Sequence, residues 1–332
     1  MNPTAFLHRL RDRGETERDD GPPGQRLLNV GDMQRLRHLE FSTRRRVRGT
    51  YLGRHSSRQR GQSVEFNEYR QYLPGDDPAD LDWKVFARTD RLYVRLYEHE
   101  SEMTTTLLID GSASMAFRGC EAPAPGVTQS SSSLSYSKYE LAASLAAALA
   151  FLLIERNDRV SLGIARNGLA TFEAPGMSMT HLSRLLAKLD AHQPALTAQL
   201  PEAIETLLLR SRRRGLLVIL SDLLDDTEGI FAAIARATAR GNEVILVQTL
   251  HAEELELPAG GHGIFVDSES GERVRVHCDD VRSSYARAMQ AFLERVARMC
   301  ASLGIDRVPV STADDRFAVL ERYLLRRGAE RR

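Results

Sequence analysis

The strongest constraint on the fold is an alternation of segment types between residues 100 and 326. Short apolar, β-prone runs such as Thr104–Ile109 and Gly215–Leu220 are separated by helical segments of ten or more residues, of which Lys138–Arg156 is the most apolar. Crossover connections of that length join parallel strands, and parallel strands buried on both faces have continuous apolar sequences. The pattern predicts a three-layer, doubly wound α/β domain with a mostly parallel sheet.

The other elements predicted from periodicity follow the same order along the chain. The remaining strands are predicted at Arg159–Ala165, Leu169–Glu173, Glu243–Thr249 and Asp306–Val310. The remaining helices are predicted at Met179–Leu189, Leu200–Arg210, Glu228–Arg240, Val281–Leu303 and Arg316–Arg326. A hairpin is expected between Ile264 and Val276, because the turn-forming residues Glu269, Ser270 and Gly271 divide two β-prone segments.

Composition narrows the class of protein. With 332 residues and 42% hydrophobic side chains, the chain has enough apolar material for a core. The 45 basic and 45 acidic residues cancel, so no overall attraction to nucleic acid or membrane follows. The 3 cysteines form neither a disulfide framework nor a zinc-ligand pattern. The apolar run Leu141–Ile154 is shorter than the roughly 20 residues of a bilayer span. We therefore expect a soluble, cytoplasmic protein.

The segment before residue 100 has a different character. Residues 1–29 are expected to form a flexible N-terminal arm, and residues 30–99 a small subdomain that begins with a short helix at Asp32–Phe41. The single tryptophan, Trp83, is interpreted as a core anchor between this subdomain and the sheet. The arginine-rich stretch Arg44–Arg60 could bind nucleic acid, but it lacks a series of stacking aromatic residues, with Tyr51 alone, and it lacks a recognition motif. A solvated face is the favoured interpretation, and nucleic acid is not expected as a partner.

Polar side chains follow two of the predicted strands. Asp110, Ser112 and Ser114 come after the first strand of the domain, and Asp222 follows the strand at Gly215–Leu220. Binding sites in open parallel sheets form at the carboxyl ends of strands. Carboxylate and hydroxyl oxygens are the hard ligands that Mg²⁺ or Mn²⁺ prefers. The sequence therefore predicts a site for one divalent cation at this edge.

Other chemistries for the same residues are less well supported. A serine-nucleophile elbow requires G-x-S-x-G, and the run Gly111–Met115 does not fit that pattern. A dinucleotide or P-loop site is also disfavoured, because neither glycine pattern occurs in the sequence. A phosphatase in which Asp110 is the nucleophile would also need a lysine, and the chain has only Lys84, Lys138 and Lys188. Helix capping alone would explain one aspartate but not the repeated serine spacing.

The run Asp110, Ser112, Ser114 resembles the metal-ion-dependent adhesion site of von Willebrand factor A domains. That resemblance implies that Ser112 and Ser114 are direct metal ligands, with Asp110 and Asp222 as inner-shell or second-shell carboxylates. It also implies a threonine ahead of a helix between the two aspartate segments. Thr197 fits that place best, and Thr180 is a weaker candidate.

The block before the domain resembles a narrower family, the bacterial domain of unknown function 58 family, over roughly residues 30–250. The resemblance rests on Gly53–Ser57, Arg60–Phe66, Tyr69–Tyr72, Pro74–Pro78, Leu81–Lys84, Ala87–Arg88 and Leu92–Arg95. Members join such a block to a von Willebrand factor A-like domain and are commonly encoded beside MoxR-type AAA+ ATPases. The resemblance implies an adaptor or chaperone-like component working with such an ATPase.

Together these observations predict a metal-dependent protein-interaction module rather than an enzyme. In this hypothesis the cation is held by hydroxyl groups and water, and a carboxylate from a partner protein fills a free coordination position. The alternative is a metal-dependent phosphoester hydrolase at the same site, which would need a general base such as Asp225 or Asp226. The second alternative is nucleic-acid binding through Arg44–Arg60, with an affinity that falls steeply with salt.

Overall fold

The computed structural model describes residues 26–39, 50–52, 64–72, 81–99, 104–119, 136–211, 214–257, 262–269 and 271–329. The chain divides into two compact units. Arg44–Glu102 forms the smaller unit, and Met1–Thr43 together with Met103–Arg332 forms the larger one.

The elements alternate as the sequence pattern predicts. In chain order they are α1 (Val30–Leu36), β1 (Thr50–Leu52), β2 (Val64–Gln71), α2 (Trp83–Thr89), β3 (Tyr93–His99), β4 (Thr104–Asp110), α3 (Lys138–Glu155), β5 (Arg159–Ala165), β6 (Leu169–Gly176), α4 (Met179–Ala191), α5 (Leu200–Arg210), β7 (Leu216–Ser221), α6 (Thr227–Ala239), β8 (Glu243–Leu250), α7 (Ala252–Leu255), β9 (His262–Val266), β10 (Arg273–His277), α8 (Cys278–Leu303), β11 (Asp306–Ser311) and α9 (Arg316–Ala329). The expected hairpin is confirmed, since β9 and β10 pair antiparallel.

The larger unit is built on a six-stranded sheet in the order β11-β8-β7-β4-β5-β6. The strands from β11 to β5 run parallel to their neighbours, and only the edge strand β6 is antiparallel. The prediction of an α/β domain with a mostly parallel sheet is confirmed. The strand order reverses direction between β4 and β7, and a crevice at such a switch point is where ligands bind in open sheets.

Helices cover both faces of this sheet. One apolar cluster joins the sheet to α1, α3, α4 and α9, and the other joins it to α5, α6 and α8. Helix α3 is the centre of the first cluster, and every residue from Leu141 to Ile154 is buried. The long apolar run is therefore the interior layer of a globular fold. Within the described part of the chain, none of the helices is both long enough and apolar enough to span a bilayer.

The first helix differs from its prediction in extent and in the unit to which it belongs. Asn29 and Asp32 form a reciprocal capping box that starts α1 at Val30, ahead of the expected Asp32. The buried Leu36 packs in the same cluster as α3. The structure therefore assigns residues 30–43 to the larger unit, and the second unit starts at Arg44 and not at residue 30.

The smaller unit contains a three-stranded antiparallel sheet in the order β1-β3-β2. Helix α2 follows Asp82, whose carboxylate accepts hydrogen bonds from the backbone N–H groups of Lys84 and Val85. Trp83 is 59% exposed, so the interpretation of this residue as a core anchor is wrong. The arginines of the Arg44–Arg60 stretch lie outside the described residues, as does much of the signature block.

Candidate metal centre at the strand ends

Asp110 ends β4 and holds the loop that follows it. Its side chain is buried, with Oδ1 accepting a hydrogen bond from the Ser112 backbone N–H at 2.9 Å and Oδ2 accepting one from Ser221 Oγ at 2.6 Å. The bond from Ser221 joins the end of β4 to the end of β7, and the bond from Ser112 holds the loop that follows β4. A side chain on Gly111 would overlap the ring of His192, so the ring would have to move to accommodate one. Asp110 therefore fixes the positions of the neighbouring serines.

Three further oxygens form a chain beside Asp110. Ser112 precedes a short 3-10 turn that brings Ser114 back toward it, and the two Oγ atoms lie 3.1 Å apart. Ser114 Oγ donates a hydrogen bond to Asp222 Oδ2 at 2.9 Å. The other oxygen of Asp222 accepts the Leu224 backbone N–H at 3.1 Å. The structure thus brings together Asp110, Ser112, Ser114 and Asp222, the four strand-end residues that the sequence analysis singled out.

A lysine completes the cluster, and the sequence reasoning did not place it there. Lys138 is the first residue of α3 and is fully buried. Its Nζ donates to Asp222 Oδ2 at 2.6 Å and to Glu254 Oε1 at 2.5 Å. A lone lysine at the start of an otherwise apolar, enclosed helix was a usable signal, because a buried ammonium requires an anionic partner.

Glu254 is the second group that the sequence reasoning missed. It lies on α7, which follows β8, the next strand of the sheet after β7. Its side chain is buried, and Oε2 accepts the His251 backbone N–H at 2.8 Å. The position directly after a buried parallel strand was again the available signal, since the carboxyl ends of neighbouring parallel strands meet at one edge.

The site is electrostatically negative. Burial raises the pKa of Asp110 to about 6, the charge of Asp222 adds to the rise, and hydrogen bonds from Ser112 and Ser221 oppose it. Burial also raises the pKa of Glu254, against the attraction of Lys138. The pKa of Glu269, which is exposed in the β9–β10 turn, rises to about 7 because of partial desolvation and the charges of Asp225, Asp222, Asp267 and Asp110. Carboxyl groups that resist ionisation in this way favour a nearby cation.

Lys138 stays charged in this environment. Burial by itself lowers the pKa of its ammonium, but the charges of Asp222 and Glu254 outweigh that effect and raise the pKa above its ordinary value. The cluster therefore contains the positive charge of Lys138 and three buried carboxyl groups, those of Asp110, Asp222 and Glu254.

The two threonine candidates lie in different places. Thr197 belongs to the segment between α4 and α5, which is tied to the loop after β4 by the bonds Ala195 N–H to Gly111 O at 3.0 Å and Ala113 N–H to Leu196 O at 2.8 Å. Thr180 is exposed in the first turn of α4, which follows the end of β6, and that end pairs with the amino end of β5. Thr180 therefore lies at the opposite edge of the sheet, and Thr197 is the threonine beside the cluster.

The acids considered as a general base have other environments. Asp226 is the N-cap of α6, where its Oδ1 accepts the Gly229 backbone N–H at 3.0 Å. Asp225 and Asp226 are both exposed. Lys138, which a phosphatase would need beside its substrate, is enclosed between two carboxylates. These environments favour a binding site over attack by Asp110.

The donor set fits a small divalent cation. Neighbouring ligands of an octahedral Mg²⁺ with bonds of about 2.1 Å are separated by about 3.0 Å. The Ser112–Ser114 and Ser114–Asp222 oxygens, which are hydrogen-bonded to each other at 3.1 and 2.9 Å, also lie near that spacing. Within the described ranges, no group of three or more His, Cys, Asp or Glu side chains is arranged to hold a metal ion. The available donors are hydroxyl groups and a carboxylate oxygen.

The fold and this cluster define a mixed α/β protein with a polar site at the switch point of its sheet. The chain matches the family described as "Protein of unknown function DUF58" over residues 68–295, and it belongs to that family. It is 32% identical over 303 residues to an uncharacterized protein of Mycobacterium tuberculosis and to one of Mycobacterium bovis, covering 89% of this chain and 90% of each relative.

Two solved structures show similarity at a lower level. The conserved hypothetical protein BatB from Bacteroides thetaiotaomicron has 16% sequence identity and a TM-score of 0.41, and the match covers 69% of this chain and 99% of that one. An aerotolerance-related membrane protein from Bacteroides fragilis has 15% identity and a TM-score of 0.41, with coverage of 68% and 97%.

Proposed function

We propose that this chain is a metal-dependent protein-interaction module. In this proposal Ser112, Ser114 and Asp222 hold one Mg²⁺ or Mn²⁺ ion. Asp110 orients the loop by accepting hydrogen bonds from the Ser112 backbone and the Ser221 hydroxyl. The observation that carries the proposal is the run of three oxygens at 3.1 and 2.9 Å at the switch point of the sheet. The ion would supply an electrophilic centre, because neutral hydroxyl ligands neutralise little of its charge.

The site supports assignment of the larger unit to the von Willebrand factor A-like class. A D-x-S-x-S run at the end of a central strand, with a second aspartate at the end of the neighbouring strand, is the arrangement that the resemblance implies. Thr197 is the proposed further ligand, because its segment is hydrogen-bonded to the loop that carries the serines.

The surface beside the site suits a protein partner. Leu196, next to Thr197, is 62% exposed and has a φ of 60°. A left-handed conformation at a leucine costs about 1 kcal/mol or more, and two backbone hydrogen bonds to the Gly111–Ala113 loop maintain it. In this proposal the exposed Leu196 forms part of the docking surface, and the partner would place a carboxylate on the ion.

We infer further that the partner is a MoxR-type AAA+ ATPase or a complex that it assembles, and that the module acts in the cytoplasm, where ATP is available. This inference rests on the family resemblance. A phosphoester hydrolase at the same site gains no support from the enclosed Lys138 or from the occupied oxygens of Asp110.

The test of metal binding is a titration of the full chain with Mn²⁺, followed by loss of the electron paramagnetic resonance signal of the free ion. The double variant Ser112→Ala, Ser114→Ala should lose binding at least tenfold, because each hydroxyl is a direct ligand. The matched control is Ser183→Ala, Ser302→Ala, since both of these hydroxyls are exposed and bond only within their own helices. Equal affinity in the two double variants would refute the proposal.

The test of partner binding uses the MoxR-type ATPase of the same organism. Capture of this ATPase by the wild-type chain should require Mg²⁺, be lost with chelator, and be lost in the Ser112→Ala, Ser114→Ala variant but not in the control variant. Capture that is insensitive to both chelator and the serine substitutions would exclude an ion-mediated contact with this partner.

A further inference from the structure

Lys138 occupies the carboxylate oxygen that a metal ion would need. Asp222 Oδ1 accepts a backbone N–H at 3.1 Å, which leaves Oδ2 as the oxygen directed at the serines. The ammonium of Lys138 is bonded to this same atom at 2.6 Å. A divalent cation at the site would therefore share Oδ2 with an existing positive charge or displace it.

Lys138 has no route to solvent. Its side chain is fully buried, and it lies at the start of α3, where its backbone N–H donates to Phe117 O at 3.2 Å. The electrostatic conflict with a bound cation is consequently not relieved by rotation of the side chain into water, as it would be for a surface lysine.

Glu254 offers the lysine a second acceptor. Its Oε1 lies 2.5 Å from Lys138 Nζ, on the side away from the serines in the hydrogen-bonded chain Ser112, Ser114, Asp222, Lys138, Glu254. The ammonium can therefore give up Asp222 and remain paired with Glu254. The charge of the lysine opposes cation binding, and the charge of the glutamate reduces that opposition.

We propose that Lys138 is an internal counter-ion that competes with the divalent cation for Asp222, and that Glu254 sets the strength of this competition. This inference rests on the proposed metal site and adds its regulation. The competition weakens the affinity for the free ion, so that stable binding requires the additional negative charge of a partner carboxylate. Metal binding and partner binding are thereby coupled.

The experiment measures Mn²⁺ affinity in the full chain by loss of the free-ion signal, in wild type and in variants with opposite predicted effects. Glu254→Gln keeps the lysine charge and an acceptor oxygen but removes the negative charge that pairs with the lysine, so affinity should fall several-fold. Lys138→Met combined with Glu254→Gln removes the competing charge without leaving a buried unpaired glutamate, so affinity should rise by about tenfold or more. A purely structural role of these residues would lower affinity in both variants.

Lys188→Met is the matched control. Lys188 is a partly exposed lysine paired with Glu173 at 2.8 Å, and its replacement removes the same charge from a different ion pair. Its Mn²⁺ affinity should equal that of the wild type. Thermal unfolding of each variant checks that the fold is retained before titration.

The outcomes separate this inference from the proposed function. Tighter binding by the Lys138, Glu254 double variant and weaker binding by Glu254→Gln would support the competition. Suppose that the Lys138→Met, Glu254→Gln variant binds Mn²⁺ no more tightly than wild type, while the Ser112→Ala, Ser114→Ala change abolishes binding. The proposed competition between Lys138 and the ion is then overturned, and the proposed metal site is retained. If none of the chains binds Mn²⁺, or if the Ser112→Ala, Ser114→Ala variant binds it as tightly as wild type does, both proposals are overturned.

Discussion

Replacing Asp110 with asparagine should stabilise the metal-free protein at neutral pH. The pKa of the Asp110 carboxyl is raised from 3.8 to about 6, chiefly by burial and then by Asp222. Ionising this group at pH 7.5 therefore costs the folded state up to about 3 kcal/mol relative to an ordinary aspartate. Asparagine avoids that cost, and its amide oxygen still accepts the Ser112 N–H that fixes the loop. Its amide nitrogen takes the place of Oδ2 and would donate to Ser221 Oγ, which reverses the present hydrogen bond.

The sign of the pH dependence follows from linkage. Between the unfolded pKa near 3.8 and the folded pKa near 6, the native state binds more protons at Asp110 than the unfolded chain does. Its contribution to stability is therefore complete below the lower value and is lost as pH rises through the higher one. Other carboxyl groups titrate in the same range, so the informative quantity is the difference between variant and wild type.

The assay is urea unfolding with chelator present, at several pH values between 4 and 8, for wild type and Asp110→Asn. The stability advantage of the variant should grow as pH increases from 5 to 7.5. Asp90→Asn is the control, because Asp90 is exposed in the smaller unit and has a φ of 55°, which asparagine adopts equally well. A variant that is less stable than wild type at pH 7.5, or an advantage independent of pH, would refute this reasoning.

Three other predictions concern local features. Leu196→Gly should raise the free energy of unfolding by about 1 kcal/mol in urea titrations, because glycine adopts a φ of 60° without strain, yet it should weaken partner capture. Ser137→Ala should lower the free energy of unfolding by about 1 kcal/mol, since the hydroxyl accepts the Glu140 N–H at the start of α3. Arg327→Met should lower the free energy of unfolding by about 3–5 kcal/mol, because the buried guanidinium pairs with Asp306 and Glu243. Unchanged stability in any of the three would contradict the corresponding argument.

The alternation of strands and helices was predictable because it is encoded locally. A strand buried on both faces, such as Leu216–Ser221, requires a continuous apolar run, and α3 requires small and apolar residues on every side. The strand-end cluster was predictable for a related reason. Asp110, Ser112 and Ser114 are adjacent in sequence, and Asp222 is placed by the end of its own strand.

The features that sequence reasoning missed depend on contacts between distant segments. Lys138 lies 84 residues from Asp222 and 116 from Glu254, so no local pattern joins the three. The helix α1 has an amphipathic sequence whichever unit it packs against, and only its burial beside α3 assigns it. Tryptophan is a residue type that favours the core, but Trp83 is 59% exposed. Its burial depends on how the short helix α2 packs, and residue type alone does not specify that packing.

The hydrogen-bonded chain from Ser112 to Glu254 also explains how the cluster is stable without an ion. Each buried carboxylate accepts a backbone N–H, and Lys138 neutralises part of the remaining charge. If the proposed ion binds here, the serines and Asp222 are already positioned, so binding would require no ordering of the loop and would cost little conformational entropy. The principal cost under the proposal would be the displacement of one ammonium group from Asp222. The proposed site would then respond to the charge that a partner brings, because its geometry is formed in advance and its affinity would be set electrostatically.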